Sequence, residues 1–325
     1  MKFNLGWGNS VAVRQAFLET YDGNMVVFSA HGLARFDYPA HEGDPELIEI
    51  TDRIIQRQTG KHYKHILLTN GATGGVVISL RAFEQKGFKY CHTRNPPYYI
   101  RYPRMIRAAG LMRVNEDFPL MHDQGVILLD MPSNPLGLCG DYPQVDDGNP
   151  VILDGVYYNN VYAPRRLYAP DHDILVGSYS KLLGLNGLRV GWIATNDDDL
   201  ALRLADLVTS EYCGLDTATT EIIKTTLFNF SWDSFERLAR TRLDYNREQF
   251  SKLEKFFGDT PVLDLGMFAY MPVDTACKKL LEKSGIHYCK GSEMGTNDNF
   301  ARFNLGQSCE MIAEAVQTML KNDQI

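Results

Sequence analysis

The sequence predicts an α/β fold with a mostly parallel sheet, joined to a smaller α+β unit. A length of 325 residues is more than one hydrophobic core usually organises, and it suits two domains. Short apolar runs alternate with helical patterns from about residue 44 to residue 210, as in chains of βα units. After Asp197, long charged helical patterns replace this alternation, so we expect the second unit to begin near residue 210.

The alternating region predicts its elements in the following order. A helix from Glu46 to Gln58 follows Asp44, which can cap it, and Pro45, which suits a first turn. Strand 65–69 then breaks at Asn70-Gly71, and a helix is expected over 73–85. The further predicted strands are 88–92, 125–130, 151–154, 174–177 and 190–194. Beyond them we predict long helices over 197–208 and 232–257, and an α+β unit containing 262–271, 290–292 and 301–305.

Composition excludes several classes of protein. The chain is 44% hydrophobic and 22% charged, which is usual for a soluble globular protein and not for a disordered one. A net charge of −7 argues against general nucleic-acid binding. No run approaches the roughly 18 apolar residues that a membrane span needs. Six scattered cysteines without a C-x-x-C pair suggest reduced thiols in the cytoplasm, and not a zinc site.

The most informative segment is Ser178-Tyr179-Ser180-Lys181, which is followed by two glycines and by Arg189. A lysine amine in such a setting can form a Schiff base with the aldehyde of pyridoxal 5′-phosphate. The hydroxyls and the arginine can hold a phosphate, the arginine as a bidentate fork. This spacing therefore predicts a pyridoxal-phosphate site.

Two loops that follow predicted strands are weaker signals. The loop 69–75 opens a helix, where backbone N–H groups and Thr73 would suit an anion, but an ordinary glycine-rich turn has the same pattern. In 95–102 an aromatic side chain can stack on a flat heterocycle. Without further context, a core aromatic cluster is the better interpretation of that second run.

Polar residues also follow the next two predicted strands. Asn134 lies in a turn after 125–130, where open α/β sheets gather their ligands, and it can donate a hydrogen bond to an aromatic oxygen. Asp154 ends the next strand, and an aspartate beneath a pyridine nitrogen keeps that nitrogen protonated. Tyr157 lies three residues further on and can reach the ring hydroxyl. A simple capping role for Asp154 stays open.

Arg302 lies inside a strand-like run near the end of the chain. A half-buried arginine needs an anionic partner. That partner is either a structural carboxylate or the carboxylate of a substrate, and the spacing does not separate the two.

Taken in order, these segments resemble the fold-type I pyridoxal-phosphate enzymes, specifically the class I and II aminotransferases, from about residue 30 to residue 310. The resemblance implies a seven-stranded, mostly parallel sheet in a large domain over 28–208, with 1–27 and 209–325 forming the small domain. It also implies a homodimer with shared active sites. The implied cofactor residues are Ala72, Thr73, Tyr99, Asn134, Asp154, Tyr157, Ser178, Ser180, Lys181 and Arg189, together with Tyr38 from the other subunit. Lys181, Asp154 and Tyr157 would be catalytic. Arg302 would bind the substrate α-carboxylate, and Asn134 would also contact the substrate.

The activity that the resemblance implies is transfer of an amino group from an α-amino acid to a keto acid. Decarboxylation and β-elimination occur on the same fold and stay open as alternatives. A binding-only role is disfavoured because Lys181, Asp154 and Arg302 are all present. The loop 71–75 lacks the G-x-G-x-x-G spacing of a dinucleotide site, and the histidines show no paired metal-ligand spacing beyond His62 and His65.

A basic stripe remains outside this scheme. Arg101, Arg104 and Arg107 recur at intervals of three on a predicted helix, with Arg113 beyond them. A solvated helix face is the simpler interpretation, and an anionic substrate or partner is the alternative.

Overall fold

The structure is a computed structural model that describes residues 2–21, 38–115, 117–118, 124–139, 148–163, 172–228, 230–258, 260 and 265–324. The helices within these ranges are α1 (Val11–Thr20), α2 (Pro45–Thr59), α3 (Gly71–Gln85), α4 (Tyr102–Ala108), α5 (Tyr179–Leu182), α6 (Asp198–Tyr212), α7 (Thr217–Phe228), α8 (Trp232–Ser251), α9 (Thr275–Lys283) and α10 (Cys309–Asp323). The strands are β1 (Phe3–Asn4), β2 (His65–Asn70), β3 (Tyr90–His92), β4 (Met112–Val114), β5 (Gly125–Asp130), β6 (Val151–Asp154), β7 (Ile174–Ser178), β8 (Val190–Thr195), β9 (Phe268–Pro272), β10 (Ile286–His287), β11 (Cys289–Lys290) and β12 (Phe300–Asn304). None of the described helices is long and apolar enough to cross a membrane.

Seven of the described strands form the large sheet, in the order β2-β8-β7-β6-β5-β3-β4. The strands from β7 to β4 are parallel, whereas β8 runs antiparallel to both β2 and β7. The predicted α/β fold with a mostly parallel seven-stranded sheet is therefore confirmed. Because β5, β6 and β7 are parallel neighbours, the turns after them meet at one edge of the sheet.

Both faces of this sheet are covered, which explains the continuous apolar runs in its strands. Residues on one face, such as Ile127 and Leu129 of β5, join a cluster with α2 and part of α8. Val126 and Leu128 point the other way, into a cluster with α3, α4 and α6. Burying both faces holds the strand ends, and the residues that follow them, in fixed positions.

Local signals set several of the boundaries. The Asp44 carboxylate accepts the Leu47 N–H at 2.9 Å at the start of α2, and Gly60 ends the helix with φ +75°. The expected long helix 232–257 is shorter than predicted, because α8 ends at Ser251 and only a 3₁₀ turn, Glu254–Phe256, continues it. The strand expected from residue 88 begins at Tyr90.

A third apolar cluster forms the core of the smaller unit. It surrounds Phe250, Phe257 and Phe303 and packs beneath the antiparallel strands β11-β12-β9. The N-terminal strand β1 pairs with β10 of this unit, whereas Val13 and Phe17 of α1 join the cluster on the large sheet. The division into 28–208 and 1–27 with 209–325 stays a prediction; its boundary at 208 falls inside α6.

Candidate active site

A cavity of about 610 Å³ lies beyond the ends of β5, β6 and β7, where the small unit meets the large sheet. Eleven of the twelve residues predicted for the site line it: Ala72, Thr73, Tyr99, Asn134, Asp154, Tyr157, Ser178, Ser180, Lys181, Arg189 and Arg302. The twelfth, Tyr38, is 89% exposed and does not line the cavity. A role for Tyr38 in a second subunit stays a prediction.

Lys181 lies on α5, the single helical turn that follows β7. The turn is held by Ser178, whose hydroxyl caps the Ser180 N–H at 3.1 Å and donates to the Val190 carbonyl at 2.9 Å. Burial, followed by the charges of Arg302 and Arg189, lowers the pKa of Lys181 to about 8. The lysine amine is therefore much closer to its reactive, unprotonated form than an exposed lysine is.

An anion-binding corner lies where α3 begins. Arg189 has φ +56°, an uncommon conformation for a residue with a side chain, and it donates to Ser180 Oγ at 3.3 Å. Gly71 has φ +66°, and a Cβ placed on it would lie 2.4 Å from Arg189 Nη2. The missing side chain thus leaves room for the guanidinium over the start of α3, beside Ala72 and Thr73. A helix N-terminus with an arginine over it suits a phosphate.

Asp154 supplies a buried carboxylate on the cavity floor. It accepts the Tyr102 hydroxyl at 2.9 Å and the Val156 N–H at 3.3 Å. Burial raises the pKa of Asp154 to about 6, although the hydrogen bond from Tyr102 opposes the shift. A cationic group facing this carboxylate would restore its charged form.

Aromatic rings line the cavity walls. Tyr99 packs edge-on against Tyr102, with ring centroids 5.3 Å apart. Tyr157 packs edge-on against Phe268 at 5.9 Å. Burial raises the pKa of the Tyr157 phenol well above its ordinary value, so its hydroxyl stays protonated and able to donate.

Arg302 projects from β12 into the cavity and is 5% exposed. Its Nη1 donates to Asn134 Oδ1 at 3.0 Å and its Nη2 donates to the Gly6 carbonyl at 2.9 Å. The guanidinium also lies over the Phe268 ring, 4.3 Å from its centroid. Among the described residues, no carboxylate forms an ion pair with Arg302, and its buried Nε has no hydrogen-bond partner. Of the two partners left open by the sequence, this favours the carboxylate of a substrate.

Sequence reasoning missed several residues of the cavity. The segment 6–9 lines it, with the Gly6 carbonyl accepting from Arg302 and the Gly8 carbonyl accepting from Lys181 Nζ. Asp130 and Tyr102 line the floor. Asp130 ends a buried strand in the same way as Asp154, which was the signal available to find it. The N-terminal residues carried no such signal.

The basic stripe divides in the structure. Arg101 lines the cavity mouth and is exposed, whereas Arg104 and Arg107 are exposed on α4 outside it. The stripe is therefore not one continuous binding surface for the cavity.

The charges of these cavity side chains and their arrangement fit pyridoxal phosphate. A lysine amine of lowered pKa, a buried carboxylate and an arginine-lined helix N-terminus line one cavity, which would suit the aldehyde, ring nitrogen and phosphate of the cofactor. Tyr99 can cover one ring face, and the Asn134 amide and the Tyr157 hydroxyl can reach the ring oxygen. Ser178 has its hydroxyl engaged by Val190 and Ser180, so its main observed contact is structural.

Comparisons with known proteins agree with this arrangement. Residues 7–319 match the family model for aminotransferase class I and II. A 3-methylarginine biosynthesis aminotransferase of Streptomyces arginensis is 28% identical over 50% of this chain and 51% of its own length. A (5-formylfuran-3-yl)methyl phosphate transaminase of Methanocaldococcus jannaschii is 24% identical over 83% of this chain and 80% of its own length.

Solved structures share the fold across nearly the whole chain. A Methanococcus jannaschii protein, whose active site is described as similar to that of kynurenine aminotransferases, aligns with a TM-score of 0.79 and 18% identity. The alignment covers 99% of this chain and 91% of that one. A mutant of the Thermus thermophilus aspartate aminotransferase aligns with a TM-score of 0.77 and 18% identity, over 98% and 91% of the two chains. At this identity the likeness shows the fold.

Proposed function

Because this chain belongs to the family of class I and II aminotransferases, we propose that it moves the amino group of an α-amino acid to a keto acid through Lys181. Membership makes the chain an aminotransferase that uses pyridoxal phosphate. The role of each residue, the pair of substrates and the assembly are our proposal.

The observation that carries these roles is the position of Lys181 relative to Asp154 and Arg302. All three line one cavity, on the turn after β7, at the end of β6 and on β12. The lysine can bond covalently to an aldehyde, the carboxylate can hold a cationic ring nitrogen, and the arginine can bind a carboxylate. These are the three contacts that an amino acid and this cofactor need together.

When bound, the cofactor supplies an aldehyde for Lys181 and a protonated ring that withdraws electrons from the α-carbon of the amino acid. Once the substrate amine has displaced it, Lys181 Nζ could take the proton from the α-carbon and then release it to the carbon of the former cofactor aldehyde. Its pKa of about 8 suits a group that must both accept and release a proton near neutral pH. Asp154 would keep the ring nitrogen protonated, and the hydroxyl of Tyr102, which donates to Asp154, would orient that carboxylate.

Arg302 and Asn134 determine which bond of the substrate reacts. Arg302 would hold the α-carboxylate through its two terminal nitrogens, and a fixed carboxylate determines which bond of the α-carbon is aligned for cleavage. With the carboxylate held by the arginine, we expect loss of the α-proton and not of carbon dioxide. The wall formed by Tyr99, Phe268 and the segment 6–9 restricts access of water to the reacting atoms.

We also propose that the chain acts as a cytoplasmic homodimer. The exposed Tyr38 side chain supports this, since it lies outside the cavity of its own subunit and is free to reach a second one. The unpaired state of all six cysteines supports a reducing compartment.

A panel of amino acids, each offered with a keto acid, tests the proposal. We expect one donor to be converted to its keto acid, which mass spectrometry identifies, while the absorbance of the bound cofactor changes. An amine product would indicate decarboxylation, and ammonia would indicate elimination. Borohydride reduction should attach the cofactor to Lys181, and an adduct on any other lysine would overturn the assignment of that residue.

A further inference from the structure

Asp130 is a second buried carboxylate on the cavity floor, and the proposed chemistry does not use it. It ends β5 and is paired in register with Asp154 at the end of β6. Paired residues of parallel strands point to the same face of a sheet, so the two carboxylates lie side by side. Asp130 is 7% exposed and lines the cavity. A carboxylate buried this deeply is costly unless its contacts compensate for the loss of water.

The main contact of Asp130 is with the turn that carries Asn134. The Asn134 N–H donates to Asp130 Oδ2 at 2.7 Å, across the turn that leaves β5. A second bond closes the same turn further along, where the Leu138 N–H donates to the Ser133 hydroxyl at 3.0 Å. The Asp130 carboxylate therefore makes the side-chain contact that holds the backbone of Asn134 itself, at the start of this turn.

Asn134 in turn contacts the arginine proposed to bind the substrate. Its side-chain Oδ1 accepts from Arg302 Nη1 at 3.0 Å. Hydrogen bonds thus run without a break from Asp130 on the large sheet, through Asn134, to Arg302 on the small unit. We call these three residues the carboxylate-binding relay.

We propose that Asp130 is a positioning residue for substrate binding, which fixes the Asn134 turn and so aims Arg302 at the α-carboxylate. The inference rests on the proposed function and deepens it. The relay requires an acceptor at Asp130 and does not require a charge there. Burial raises the pKa of Asp130 to about 7, and a protonated carboxyl still accepts the Asn134 N–H through its carbonyl oxygen.

Two substitutions at Asp130 separate this role from others. Asp130→Ala removes the acceptor, and we expect KM for the best donor of the amino-acid panel to rise about 10-fold while kcat changes less, as for the loss of one buried hydrogen bond. Asp130→Asn keeps an acceptor of the same shape, and we expect KM to return to within about threefold of the wild type. A KM that rises equally in both variants would overturn the inference.

A double-mutant cycle identifies the path of the effect. If Asp130 acts through Asn134, then Asn134→Ala and the Asp130→Ala/Asn134→Ala double variant should have the same KM. Additive effects would mean that Asp130 acts independently, and the relay would be refuted. The α-methyl analogue of the same donor has a carboxylate but no α-hydrogen, so it binds without turnover. Its dissociation constant, measured by cofactor absorbance, should likewise be the same for Asn134→Ala and the double variant.

Asn149→Ala is the matched control. The Asn149 amide donates to the Gly125 carbonyl at 2.6 Å, at the opposite end of the same strand and outside the cavity. Asn149→Ala should lower the melting temperature of the protein and leave KM unchanged. A raised KM in Asn149→Ala would mean that the effect of Asp130→Ala comes from general destabilisation, and the relay would be refuted. If Asp130→Ala does not fold, Asp130→Val, which also lacks an acceptor, replaces it in the cycle. A wild-type chain that converts no amino acid would refute the proposed function, whereas failure of the Asp130 pattern alone would refute only the relay.

Discussion

Gly71→Ala perturbs the anion-binding corner at a single atom. The new Cβ would lie 2.4 Å from Arg189 Nη2, closer than non-bonded atoms can approach, so the guanidinium must move away from the start of α3. A charge-assisted hydrogen bond contributes about 1.5–3 kcal/mol. Losing one between Arg189 and the cofactor phosphate should therefore weaken cofactor binding about 10- to 160-fold.

Gly87→Ala is the control for backbone strain. Gly87 also has a positive φ, +94°, but among the described residues, its two chain neighbours aside, no heavy atom lies within 4 Å of a Cβ placed on it. Both variants should lose about 1–2 kcal/mol of stability from the strained backbone. Only Gly71→Ala should change the dissociation constant of pyridoxal phosphate, measured by absorbance titration of the cofactor-free chain. Equal affinity in the two variants would refute the placement of the phosphate against Arg189.

Three further predictions concern the reacting groups. Arg302→Ala should raise the KM for the amino acid by a factor of between about 30 and several thousand, as for truncation of a buried charged partner. The KM of Arg302→Lys should lie between those of the wild type and Arg302→Ala, because lysine keeps the charge and loses the two-pronged guanidinium. An unchanged KM in Arg302→Ala would place the carboxylate elsewhere. Asp154→Asn keeps the acceptor for Tyr102 but removes the charge, so turnover should fall at least about 100-fold with cofactor still bound, and wild-type turnover would exclude the proposed ring contact. Because the pKa of Lys181 is lowered, its amine is mostly protonated below about pH 8 and mostly unprotonated above it. The rate at which the cofactor-free chain forms its bond to pyridoxal phosphate should therefore rise with pH and level off above about pH 8. A rate that is still rising at about pH 10 would contradict the lowered pKa.

The sheet was the most predictable part of the chain. Gly125–Asp130 and Val151–Asp154 are apolar runs that end in an aspartate, and both form strands with the expected bounds. Such runs signal themselves because a parallel strand is buried on both faces. The helix α7 was not predicted, since its sequence is rich in threonine, which has weak helix propensity, and it forms where Ile223 and Leu227 pack against the large core.

The lysine segment and the order of the motifs indicated the family, the cofactor and most of the cavity residues. These signals are local, because most of the functional side chains lie at the end of a strand or within a few residues of one. The contacts of Arg302 with Asn134 and Gly6 were not predictable in this way, since they join residues 168 and 296 positions apart.

The sequence by itself determined the residue types that the chemistry requires: an amine, a carboxylate, an arginine for each anion, and glycines where a side chain would obstruct. Only the tertiary structure decided how these groups act on one another. The lowered pKa of Lys181 arises from burial beside Arg302 and Arg189, which three separate segments bring together. The pairing of Asp130 with Asp154 likewise depends on the register of two strands. Electrostatic effects and hydrogen bonds depend on the distance between groups in space. These groups come close to one another only when the strands pair and the smaller unit packs against the edge of the sheet.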